Sequence, residues 1–191
     1  MSVKTIATQR ASMNIPTGRL AVWWVLVSEI VIFGGVLVSY LMNRLGHPEW
    51  GEQAAYTNLW AGAFNTLVLL SSSLSAVLAH QAAEKGDGRK AAKLLYFTVL
   101  GGLTFLIVKS FEWTHEIQEG FTLQSGGFWS YYYTAAGLHA FHVIAGMGLM
   151  IWVASDAAKN QELHRGENVG IYWHFVDIVW IFLFPLLYIA K

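Results

Sequence analysis

Five long apolar runs separated by short polar breaks organise this chain: roughly Leu20–Met42, Tyr56–His80, Lys93–Trp113, Trp129–Val153 and Ile171–Ala190. A hydrocarbon layer about 30 Å thick is crossed by about 20 residues of helix, so each run predicts one spanning helix. The breaks carry turn chemistry: Gly46-His47-Pro48 opens the first, Gly86-Asp87-Gly88 sits in the second and Gly126-Gly127 closes the third. No repeat or low-complexity tract interrupts the pattern. The expected fold is therefore all-α, a polytopic bundle of five transmembrane helices in a single domain over residues 20–191, behind a polar tail over residues 1–19. A secretory signal is the rival reading of the first run. That run is too long for a signal core, carries Glu29, and lacks a small-residue cleavage end.

Composition agrees with a membrane chain. Charged residues make up 13% of the 191 positions, about half the share in a soluble domain. A formal net charge of zero gives no bulk attraction to nucleic acid. The sequence has no cysteine, which excludes disulfides, thiolate nucleophiles and cysteine-ligated metal or iron–sulfur sites.

The sidedness of Lys and Arg sets an expected orientation. With the N-terminus inside, the inner segments hold Lys4, Arg10, Arg19, Lys85, Arg89, Lys90, Lys93, Lys159 and Arg165. The outer side holds Arg44, Lys109 and Lys191, and nine against three predicts N-in, C-out. In that frame Trp50, Trp60, Trp113, Trp129 and Tyr188 fall at the outer interface, with Trp23, Trp24, Trp152 and Trp173 toward the inner one. Small residues suggest where helices touch. Ser71, Ser75 and Ala79 recur every four residues, and Gly101 with Gly102 offers a second point of close approach.

Ionisable residues inside a bilayer cost about 2.5–3.5 kcal/mol each on the mildest scale and so mark candidate sites. Here they are Glu29, His139, His142, His174 and Asp177. Lys109 and Glu112, nearer the outer edge, stand three apart and read as a local salt bridge. Depth counted along the helices pairs Glu29 with His139 and His142 with Asp177. Spacing leaves three readings open: buried hydrogen bonds that fix helix packing or hold a lipid, a proton relay, and a metal site using the i, i+3 pair His139 and His142.

Longer motifs then point to a family. The stretch Tyr172-Trp173-His174-Phe175-Val176-Asp177-Ile178-Val179-Trp180 resembles the last helix of subunit III of the haem-copper (cytochrome c) oxidases. The stretch Tyr132-Tyr133-Thr134-Ala135-Ala136-Gly137-Leu138-His139-Ala140-Phe141-His142-Val143-Ile144-Ala145-Gly146 is similar to that family's penultimate helix. Leu138 stands where a Phe is usual and Ala140 where a Gly is usual. Ser28-Glu29, Leu69-Leu70-Ser71-Ser72-Ser73 with Ala79-His80, and Phe111-Glu112-Trp113 resemble the family's third, fourth and fifth helices, in order.

The resemblance runs from about Gly18 to the end and lacks the first two helices of the long form, as in the five-helix form of some bacterial oxidases. It implies an accessory subunit of the bacterial plasma membrane, with no catalytic residue, haem or copper of its own. Haem and copper would lie in partner subunits. The implied partners are oxidase subunits I and II, phospholipid, and a larger respiratory supercomplex. The implied role is to sustain proton uptake, oxygen access and durability. By match, Glu29, His139, His142, His174 and Asp177 occupy the family's buried polar positions. A quinol-oxidase subunit III and the accessory protein of nitric oxide reductases share these features. An independent membrane metalloenzyme built on Glu29, His139 and His142 is the alternative from another class.

Overall fold

A computed structural model describes residues 17–190 as six helices. These are α1 Thr17–Leu45, α2 Trp50–Ala54, α3 Leu59–Glu84, α4 Gly88–Gln118, α5 Gly127–Ala157 and α6 Arg165–Phe184, which ends in a π-helical turn, Pro185–Ile189. Five of them are long and apolar enough to cross a membrane; α2 is a five-residue exception on the α1–α3 connection. The expected basic residues Lys4, Arg10 and Lys191 lie outside the described residues, as does most of the expected polar tail. The helices overrun the predicted spans, mostly at polar ends that hydropathy does not register. Asn58 caps α3 by accepting from the Ala61 N–H, and Asp87 caps α4 by accepting from the Lys90 N–H.

Helices α3, α4, α5 and α6 close into a ring, each packed against two others, while α1 lies outside it against α5 and α6. The α3–α4 seam is tight because small and hydroxylated residues face each other. A Cβ on Gly101 would stand 2.6 Å from the Ser72 Cβ. Ser75 donates to the Leu94 carbonyl, and Thr98 to the Ser72 carbonyl. Ser75 and Ala79 are buried in this seam, but Ser71 is exposed and donates to Leu67 in its own helix, which corrects its expected packing role. Because α3 turns 3.6 residues per turn, a strict four-residue step drifts around it, and the buried stripe passes through Ser72 instead.

Two indoles close the ring from α6. Trp173 donates to Ser72 Oγ and fills the space left by Gly102 and Gly146, and Trp180 donates to Thr66 Oγ1. Of the aromatics expected near the two interfaces, Trp129, Trp173 and Tyr188 are wholly buried inside the bundle, whereas Trp23, Trp24, Trp60 and Trp152 face outward.

Candidate functional site

The polar groups of the bundle form three centres. The first joins α1 to α5, where His142 Nε2 lies 2.9 Å from Glu29 Oε2, off the axis of an aligned hydrogen bond. His142 Nδ1 donates to the Leu138 carbonyl, which fixes the ring and leaves Nε2 to face the carboxyl. Phe33 and Phe141 pack edge-on against the imidazole and keep its surroundings apolar. The depth-matched pairing of Glu29 with His139 is therefore corrected. Since α1 starts at Thr17 and α5 runs to Ala157, Glu29 lies about 18 Å along α1. Counted from the same end, His142 lies at about 22 Å and His139 at about 27 Å.

His139 instead sits in the ring interior, between Phe105 and Trp180 at centroid distances of 5.3 and 5.1 Å. Neither of its nitrogens has a partner. That placement separates His139 from both Glu29 and Asp177.

The second centre reaches well beyond the local salt bridge that spacing implies. Lys109 Nζ pairs with Glu112 Oε2 at 3.1 Å, donates to Tyr132 Oη at 2.8 Å, and contacts Tyr188 Oη. Tyr132 donates to Glu116 Oε1 at 2.8 Å, and Tyr133 donates to the Phe121 carbonyl. Lys109, Glu112 and Glu116 are all buried, so two carboxyl groups share one ammonium away from water. Tyr188 joins because the Pro185 turn closes i to i+5, with the Ala190 N–H donating to the Pro185 carbonyl. Sequence reading singled out neither Glu116 nor Tyr132. The spacing Lys109, Glu112, Glu116 on one face of α4 was the available signal.

The third centre lies between α3 and α6. His174 Nδ1 stands 2.5 Å from Ser73 Oγ, and Asp177 follows one turn later beside Ser73. Asp177 is buried, yet neither of its oxygens is in hydrogen-bond geometry with any group. The depth match of Asp177 with His142 is thus corrected too, since Asp177 faces α3 and His142 faces α1.

Among the described residues, no three His, Asp or Glu side chains gather where they could hold a metal ion. The open spaces are instead grooves on the outer faces of the helices. One of about 410 Å³ runs between α1 and α5 along Ile32, Gly35, Val36 and Tyr131. Another, of about 340 Å³, runs between α3 and α4 along Phe64, Leu67, Ser71 and Phe97.

Comparison with known proteins gives this architecture a family. The pattern described as cytochrome c oxidase subunit III matches residues 5–191. The chain is similar to cytochrome c oxidase subunit 3 of Corynebacterium diphtheriae, at 33% identity over 87% of this chain and 84% of that one. It is similar to the subunit of the same name from Thermostichus vulcanus, at 34% identity over 86% and 83%. A third, from Alkalihalophilus pseudofirmus, is 29% identical over 95% and 90%. Five long apolar helices, a match that spans nearly the whole chain, and relatives aligned over most of both lengths lead to one conclusion: this chain belongs to the cytochrome c oxidase subunit III family.

Proposed function

We propose that this chain is the accessory third subunit of a bacterial terminal oxidase of the cytochrome c type, lying in the plasma membrane against the catalytic subunit I and near subunit II. The observation that carries this reading is the alignment with subunits of that name over most of both chains. The geometry is in keeping with it. Glu29 with His142 and Lys109 with Glu112 are paired inside the bundle, and the outward faces present large apolar residues such as Trp24, Val31, Leu67 and Phe111. Haem, copper and the oxygen chemistry belong to the partners in this reading, and this chain supplies a dock.

Its N-terminus lies inside and its C-terminus outside. Burial of Lys109 within the bundle strengthens the charge argument, since a paired, buried lysine no longer counts as an outer anchor. Phospholipid chains occupy the groove between α1 and α5, which is mostly apolar and opens on the outer face of the bundle. Support of proton uptake, oxygen access and durability follows from packing beside the catalytic subunit.

The test is purification from native membranes in mild detergent. The chain is expected to travel with haem- and copper-containing subunits, including one with a copper-binding domain. Recovery as a stable monomer free of them overturns the reading. A haem partner lacking that domain, with quinol or nitric oxide as substrate, replaces the cytochrome c assignment with one of its relatives.

A further inference from the structure

Asp177 is the one buried carboxyl whose oxygens both go unpartnered among the described residues, and nothing in the accessory role requires it. An ionised carboxylate left so in a bilayer interior would cost several kcal/mol, so the group is neutral or reached by water. One turn away, beginning at His174, an open-sided cavity of about 250 Å³ lies between α3 and α6, lined in part by His80, Glu167, Gly170 and His174. A water molecule takes about 30 Å³ and needs two to four polar partners, and both conditions are met there. Glu167 is held at its rim by Arg19 of α1, at 2.7 Å. His80 is paired with Glu84 at 3.5 Å, and a second opening lined by His80, Glu84 and His164 continues toward the helix ends.

From the cavity inward the polar groups run without a gap in kind. His174 lines the cavity and meets Ser73 through Nδ1, and Asp177, three residues on from His174 on the same face of α6, lies within a side-chain rotation of Ser73. We propose that this series is a blind proton inlet, in which Asp177 binds a proton that exchanges with water at the His80 and Glu167 end of the bundle through His174 and Ser73. In one exchange, a proton from cavity water binds the free imidazole nitrogen and the Nδ1 proton passes to Ser73 Oγ. The Ser73 side chain, rotating toward Asp177, passes its own proton to a carboxylate oxygen there. The reverse sequence returns it. No electron or co-reactant is involved, and the path ends at Asp177, because no further polar group among the described residues is in hydrogen-bond geometry with its oxygens. The inference does not rest on the accessory-subunit reading, since its test reads the Asp177 carboxyl itself.

Infrared spectroscopy of the protein in its native complex supplies that test. A protonated-carboxyl band that Asp177→Asn removes is expected at neutral pH. The other aspartates do not compete, since Asp87 caps α4 and Asp156 pairs with Arg165. The band should shift in heavy water, and two variants that leave Asp177 in place should slow that shift about tenfold or more. Ser73→Ala removes the bridge. Gly170→Leu plugs the cavity, because a Cβ at Gly170 meets nothing within 4 Å and leucine suits a helix better than glycine. Absence of an Asp177-dependent band, or an exchange rate unchanged in both variants, overturns the proposal.

Discussion

At the scale of single residues, placement decides which polar groups matter. Lys109 carries the largest expected effect. Removing it as Lys109→Met leaves Glu112 and Glu116 buried without their cation, and breaking a buried pair costs about 3–5 kcal/mol. Thermal unfolding in detergent should show a marked fall in Tm, and the triple change with Glu112→Gln and Glu116→Gln should recover part of it. Glu29 behaves differently, because an amide at that position can still donate to His142 Nε2. Glu29→Gln should therefore keep assembly and stability within about 1 kcal/mol, whereas Glu29→Leu strands the imidazole nitrogen and costs about 1–3 kcal/mol. Oxidase turnover over many cycles, measured on Glu29→Gln, separates packing from proton supply: packing leaves it unchanged, proton supply shortens it. The sequence disclosed these ionisable residues and the Lys109–Glu112 pair, but ranked His139 ahead of His142 as the partner of Glu29 and did not reach Glu116 or Tyr132. A shift of three or four residues in a helix end moves a side chain a full turn in depth, enough to exchange His139 for His142.

At the scale of elements, the α3–α4 seam is the most extensive contact in the bundle, and its chemistry was only half visible in advance. Gly101 and Ser75 could be named from small-residue spacing, while Ser71 and Ser72 could not be told apart until the drift of the buried stripe was known. The contrast predicts a pair of outcomes. Gly101→Leu collides with Ser72 and should force α3 from α4, lowering stability by about 1–3 kcal/mol. Ser71→Leu adds an apolar side chain on the exposed groove side and should be close to neutral. Both are read from Tm or from protease resistance of the α3–α4 turn. The π turn at the end of α6 was not foreseeable from hydropathy. Only the fold shows that the turn at Pro185 carries Tyr188 to Lys109. Pro185→Ala should relax the turn toward α-helix and weaken the Lys109 centre, giving a smaller loss of Tm than Lys109→Met.

At the scale of the whole molecule, the five spans and their order were legible because each is a run of apolar residues long enough to cross a bilayer. Their arrangement was not, since a helix buried in protein and one facing lipid are equally apolar. Reporter fusions after Lys90 should score as inside and those after Trp50 as outside; the reverse pattern would reject the N-in orientation. The position of α1 outside the ring also bears on how the chain is made. Its main neighbours are α5 and α6, and its last turn is tied to the chain end, where Arg44 donates to the Ala190 carbonyl and Tyr40 donates to the Leu186 carbonyl. Helix α1 thus finds its full place only when α6, made later, has emerged. At about 5–20 residues per second, that wait lasts on the order of ten seconds. Until α5 emerges Glu29 stands in the membrane without His142, so nascent α1 needs a chaperoning surface or a shallow berth near the headgroups for most of that wait.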